Sequence, residues 1–225
     1  DGLQEKHDSI RFGSSGQGTF DRIISNVEEI LHMRVPVNID LRLSVSDDSQ
    51  DETSELVHYL TNRFGLRKNL RLKVGVITPT LCDATQKRAD LLADNVVSVW
   101  RTLKSLGYLI PKEYVVGPWC VASIRNSVVI NPDGSLVKCF CLSGRPDYNF
   151  GLLSGRESIA VEDSKFLFDR TEKCRAEKCP LLPICGGGCV HDSLSAFGGS
   201  GFEKRYCQKS LIMYLNKELI LMNYS

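Results

Sequence analysis

Neither sign of charge dominates this sequence. Its 28 basic and 27 acidic side chains leave a net charge of +1. That balance provides no electrostatic grip on nucleic acid or on an anionic membrane surface, so neither is expected as a partner. Also missing is any apolar run near the roughly 18 residues needed to cross a bilayer. The opening, Asp1-Gly2-Leu3-Gln4-Glu5-Lys6, has none of the features of a signal peptide. A cytoplasmic setting is therefore expected. There is no internal repeat and no low-complexity stretch.

Cysteine is what the chain has in excess, nine in 225 residues. Without a secretion signal, this argues for metal or iron–sulfur ligation over a disulfide framework. Four of the nine fall between Cys174 and Cys189, spaced C-x4-C-x5-C-x3-C. Pro180, Pro183 and Gly186-Gly187-Gly188 are expected to exclude regular helix or strand there. A segment with no apolar period cannot order itself by burial, so a bound metal centre is expected to order it. Glycines would also let backbone N–H groups approach a cluster's sulfides closely.

The hydrophobic fraction of 42% predicts a globular core. Residues 1–110 read as alternating strands and helices, which argues a parallel sheet or part of a barrel. Thr19-Phe20-Asp21 opens a helix with Phe20, Ile23, Ile24, Val27, Ile30 and Leu31 on one face. From Val35 to Val45 apolar residues alternate with Asn38, Asp40, Arg42 and Ser44, predicting a strand. A strand inside a simple α/β sheet would be apolar on both faces. This polar face is either a solvated rim or the lining of a ligand-filled barrel. In the second case Asp40 and Arg42 are candidates to meet a cofactor or substrate.

A polar loop follows, Ser46–Glu55, then a helix with Leu56, Val57, Leu60 and Phe64 inward. The next strand, Leu70–Ile77, ends at Pro79. The long helix Gln86–Leu106 carries Leu91, Leu92, Val96, Val99, Trp100, Leu103 and Leu106, with Gly107 as its cap. Composition changes at Pro111, and 111–225 reads as a second domain of short elements. Val128–Ile130 and Leu136–Val137 form a hairpin around Asn131-Pro132-Asp133-Gly134. A short helix is expected over Ala160–Arg170. A terminal helix, Cys207–Met222, would turn Leu211, Ile212, Leu215, Leu219 and Ile220 inward.

The cysteine order in the second half is Cys120-x13-Gly134-x4-Cys139, a gap, the four-cysteine run, a gap, then Cys207. This resembles the SPASM extension of radical SAM enzymes that modify peptides and proteins: C-x9–15-G-x4-C, gap, C-x2-C-x5-C-x3-C, gap, C. One interval departs, Cys174 to Cys179, where x4 replaces x2. The Asn-Pro-Asp-Gly turn before Cys139 and Phe150-Gly151-Leu152 after it also resemble the family. So do Asp1-Gly2, His7-Asp8, Arg11 and Gly18-Thr19-Phe20-Asp21, which resemble the segment after the fourth barrel strand.

The resemblance implies an α/β fold. Residues 1–110 would form the second half of a partial (β/α)6 radical SAM barrel. Residues 111–225 would form a small cysteine-rich SPASM domain with a β-hairpin and two auxiliary 4Fe–4S clusters. Cys120, Cys139 and Cys189 would hold the first cluster. Cys141 is a candidate fourth ligand, since residues two apart in a strand share a side. Cys174, Cys179, Cys185 and Cys207 would hold the second.

The full-length enzyme would cleave S-adenosyl-L-methionine (SAM) at a catalytic 4Fe–4S cluster. The resulting 5′-deoxyadenosyl radical would take hydrogen from a peptide or protein substrate. An electron donor is the other implied partner, and the auxiliary clusters would orient substrate or carry an electron. The C-x3-C-x2-C motif for the catalytic cluster is absent: Cys185 and Cys189 provide x3, but Asp192 stands where the third cysteine would be. The motif is expected upstream of Asp1, and this chain alone is expected to be inactive toward SAM. Sulfatase-maturing relatives carry an aspartate directly after the cysteine matching Cys139. Phe140 stands there, which argues against formylglycine formation.

Cys82 matches no family position and reads as a structural thiol. His7, His32, His58 and His191 read as structural or exposed. Two rival readings are a zinc-stabilised binding module and an Fe–S electron carrier without radical chemistry. Zinc modules usually show two compact C-x2-C pairs, whereas these cysteines spread from Cys120 to Cys207.

Overall fold

The computed structural model describes residues 1–33, 35–49, 51–77, 86–117, 120–124, 127–153, 171–199 and 204–224. Pro79, Cys82 and the helix expected over Ala160–Arg170 lie outside the described residues. The chain divides into two compact units. One comprises Asp1–Pro79, Ala84–Tyr114 and Met213–Ser225; the other comprises Thr80–Asp83 and Val115–Ile212.

The first unit begins with α1 (Gln4–Ile10) and α2 (Phe20–His32). The Asp8 carboxylate accepts the backbone N–H groups of Thr19 at 2.8 Å and Phe20 at 2.9 Å. Those donors open α2 and have no carbonyl within the helix to meet. Gly18 is needed beside them, because a Cβ there would run into the same carboxylate. His7 is buried, with Nε2 3.1 Å from Thr19 Oγ1 and its ring edge-on to Phe20. Of the predicted α2 face, Phe20, Ile24 and Val27 are buried, while Ile23 is exposed.

β1 (Ile39–Val45), α3 (Glu52–Phe64) and β2 (Leu70–Val76) form a β-α-β unit with parallel strands, paired from Ile39 with Leu70 to Val45 with Val76. β1 is shorter than the alternation predicted. β2 starts at Leu70, so residues 35–38 find no partner in it, and Val35 and Val37 stay exposed. The apolar faces are covered by α3, burying Leu56, Val57, Leu60 and Phe64, and by α4 (Gln86–Ser105), burying Leu92, Val96, Val99, Trp100 and Leu103. Each such side chain contributes about 1.5–3 kcal/mol. Leu91, expected inward, is exposed. Gly107 has φ +87°, as its capping role requires.

α8 (Lys209–Tyr224) buries Ile212, Leu215, Leu219 and Met222, and Ile220 points outward, against expectation. From Met213 on, the helix counts with the first unit rather than with the second domain expected over 111–225. Its polar anchors explain this. Glu218 takes Arg101 at 2.8 Å, Tyr214 donates to Asp94 at 2.8 Å, and Asn216 accepts the Tyr114 N–H at 2.9 Å. Among the described residues no helix is long and apolar enough to cross a membrane.

The second unit is built from short pieces. β3 (Val129–Ile130), β4 (Ser135–Val137) and β5 (Gly151–Leu152) form an antiparallel sheet in that order. The predicted hairpin is present, with Gly134 at φ +82° and Asp133 Oδ1 accepting the Ser135 N–H at 2.9 Å. Three short helices follow: α5 (Glu172–Ala176), α6 (Leu182–Cys185) and α7 (Val190–Phe197). The cysteine run thus contains helical turns, contrary to expectation. Pro183 sits in the first turn of α6, where a missing N–H costs no intrahelical bond. Among the described residues an apolar cluster of the unit comprises Ala122, Cys139, Leu142, Val190 and Leu194, with Cys120, Tyr148 and Phe150 against it.

Candidate metal centre

Eight of the nine cysteines lie among the described residues, all as free thiols. Their electrostatic neighbours sort them into two groups of four. Cys139 interacts with Cys141 and Cys120, Cys141 with Cys189, and Cys189 with Cys120. Cys174 interacts with Cys179 and Cys207, and Cys185 with Cys174 and Cys207. Nearly seventy positions separate Cys120 from Cys189 in sequence, so only the fold can make the first group.

In the first group, burial pushes the Cys139 and Cys189 thiols up to about 11. Cys120 leads a 3-10 turn over Val121–Ser123, and Cys139 another over Phe140–Leu142. Cys141 was expected to meet Cys139 through strand alternation. A tight turn does it instead, and the two thiols hydrogen-bond. Cys189 stands at the start of α7, whose Asp192 and His191 N–H groups donate to its sulfur. A helix N-terminus favours negative charge, which a ligating thiolate carries. The His191 ring lies 3.6 Å from the Asp192 carboxylate. Ser123 Oγ is buried with no hydrogen-bond partner among the described residues. Phe140 is exposed.

In the second group, the widened Cys174–Cys179 interval has a structural answer. The Cys179 N–H bonds the Cys174 carbonyl at 2.9 Å, and the Lys178 N–H bonds that of Arg175 at 3.0 Å. Lys178 is left-handed, with φ 50°. This is a Schellman closure, which folds the residue after the turn back onto the last helical turn. Residues five apart, here both cysteines, are thereby brought together. Cys185 ends α6, and Gly187 and Gly188 donate their N–H groups to its sulfur. Gly186, Gly187 and Gly188 all have positive φ, from 60° to 89°, where a side chain is strained.

A segment threaded past these glycines delivers Cys207. A Cβ on Gly188 would come within 3.0 Å of the Tyr206 carbonyl. Tyr206 N–H donates to Ser193 Oγ at 2.9 Å, and Gln208 Nε2 to Asp192 Oδ2 at 3.0 Å. The same segment carries Arg205, whose guanidinium donates to Cys174 Sγ and to Glu177 at 2.8 Å. Sequence reasoning missed Arg205, which belongs to no spacing motif, and noted Asp192 only as a residue that is not cysteine.

Among the described residues no three Cys, His, Asp or Glu side chains converge as ligands of a single metal ion would. One ion draws its ligands onto one atom, whereas the corners of a four-iron cluster hold them apart by the width of the cluster. The donor set itself fits a cluster: eight thiols in two fours, N–H groups aimed at sulfur, and, in the turn that Cys120 leads, a buried hydroxyl with no partner among the described residues.

In the first unit Asp40 and Arg42 lie on the polar face of β1. The Asp40 carboxylate bonds Lys73 and Arg71, each at 2.6 Å, and these hold its pKa below the usual range. Arg42 lies across Gly75, where a Cβ would collide with its Nε. Both residues border a cavity of about 450 Å³, lined also by Arg11, Phe20, Ile23 and Leu60.

No protein-family model matches the sequence, and no curated protein matches it. A solved structure described as native anSMEcpe with bound AdoMet and Kp18Cys peptide is similar, with a TM-score of 0.61 and 18% identity. The similarity covers 99% of this chain and 67% of that one. At this identity the likeness is one of fold.

Proposed function

We propose that this chain is part of a radical SAM enzyme of the SPASM type that modifies a peptide or protein. Residues 1–110 supply part of a partial barrel, and the cysteine-rich unit carries two auxiliary 4Fe–4S clusters. The observation that carries this reading is the sorting of eight cysteines into two groups of four. The fold likeness to a structure holding AdoMet and a peptide supports it.

Cys120, Cys139, Cys141 and Cys189 hold the first cluster; Cys174, Cys179, Cys185 and Cys207 hold the second. Bound clusters supply one-electron chemistry. The chain's own residues do the rest. Leu142, Val190 and Leu194 pack around Cys139 and Cys120 and cover one side of the first group, and the Gly187 and Gly188 N–H groups stabilise the Cys185 thiolate. The polar face of β1, with Arg42 beside the cavity, meets cofactor or substrate. With Phe140 exposed after Cys139 and no carboxylate in its place, the modification is a peptide crosslink, thioether or similar bond rather than formylglycine.

Anaerobic reconstitution with iron and sulfide, followed by iron, sulfide and zinc analysis, tests the reading. About eight irons per chain are expected from two four-iron clusters. Zinc at one or two per chain with no sulfide supports the zinc-module alternative instead. Incubation with SAM and dithionite is expected to yield no 5′-deoxyadenosine from this chain alone.

A further inference from the structure

Arg205 is held against a sulfur. Its side chain is only 16% exposed. One arm of the guanidinium donates to Cys174 Sγ, and the other meets Glu177 at 2.8 Å. Glu177 is one of the four residues between Cys174 and Cys179, in the interval wider than the family pattern. The Schellman closure that joins the two cysteines also presents this carboxylate. The wider interval thus does more than lengthen a loop: it supplies the second anchor for a partly buried guanidinium on a sulfur. The Ser193–Tyr206 and Asp192–Gln208 bonds fix the backbone on the far side of Arg205.

We propose that Arg205 is a positioning residue for the second group of sulfurs, clamping Cys174 and setting the electron affinity of the centre it holds. The inference rests on the function proposed above. Reduction by one electron adds one negative charge to a centre and its thiolates. A guanidinium in contact with one of those sulfurs stabilises the added charge and raises the midpoint potential. Lysine keeps the charge but, as a point donor, cannot reach both Cys174 and Glu177 in the same planar fork. Glutamine removes the charge.

The test compares wild type, Arg205→Gln, Arg205→Lys and Cys174→Ala, each reconstituted anaerobically with iron and sulfide. Iron and sulfide are counted, and a dithionite titration is followed by electron paramagnetic resonance. The signal absent from Cys174→Ala identifies the second centre. Expected are full iron in both Arg205 variants and a midpoint shifted to lower potential in Arg205→Gln, with a smaller shift in Arg205→Lys. Iron loss from Arg205→Gln that Arg205→Lys restores supports the clamping role as well. Equal midpoints in wild type and Arg205→Gln overturn the inference and leave the proposed function standing. Iron loss in both Arg205 variants reveals a merely structural residue and overturns it too. A wild-type chain that binds no iron, or Cys174→Ala with full iron, overturns the proposed ligand set and the inference with it.

Discussion

The two units reach their folds by different means. The first stacks α3 and α4 on a parallel β1–β2 pair and buries large aliphatic and aromatic side chains, Trp100 and Phe64 among them. Among the described residues the second has strands of two or three residues and an apolar cluster of five, one of which is a cysteine. Burial on that scale offsets little of the entropy of ordering its loops. On the proposed function, the difference teaches where stability would reside: in apolar area for the first unit, in sulfur ligation for the second.

Breaking one side should therefore spare the other. The largest effect is expected from Cys185→Ala, which should remove about four irons per chain and cost on the order of 10 kcal/mol of metal-derived folding energy. Amide exchange over 171–199 should accelerate while protection from Leu92 to Leu103 holds. Unchanged iron in this variant would show the sulfurs wrongly grouped. Trp100→Ala attacks the other side. That side chain is 2% exposed, and its loss should cost about 3–5 kcal/mol in denaturant melts without changing the iron content.

pH sharpens the contrast. In the metal-free chain, burial raises Cys139 and Cys189 from the ordinary 9.0 to about 11. A raised thiol binds its proton more tightly folded than unfolded. Its contribution is whole below pH 9 and is lost as pH climbs toward 11. Metal-free chain should thus lose protection in the second unit between pH 9 and 11. Metal-loaded chain should behave oppositely and release metal on acidification, because ligation requires thiolates. A flat exchange profile across pH 9–11 would contradict the burial of these thiols.

The smallest effect concerns backbone strain. Lys178 is the non-glycine residue with positive φ among those described. Lys178→Gly should stabilise the closure by about 1 kcal/mol, seen as a higher melting temperature of the iron-loaded chain.

Much was legible in the amino-acid order. Hydrophobic period predicted α3, α4 and the β1–β2 alternation, because a helix or strand facing a core must repeat its apolar residues. The Asn131–Gly134 turn was readable because positive φ calls for glycine. Thiol number and spacing raised the expectation of ligation chemistry on which the proposed function rests.

Other features were decided only in three dimensions. Strand length depended on where the partner began, so 35–38 stayed out of β1. The last turns of α8 joined the first unit because Arg101, Asp94 and Tyr114 hold them there. Cys141 met Cys139 through a turn that no alternation rule foresees. Arg205 reached Cys174 across thirty-one positions. Local sequence dictates what a segment prefers and which atoms it offers. Which distant atoms those offers meet is set by packing, and contacts between remote segments leave no period to read.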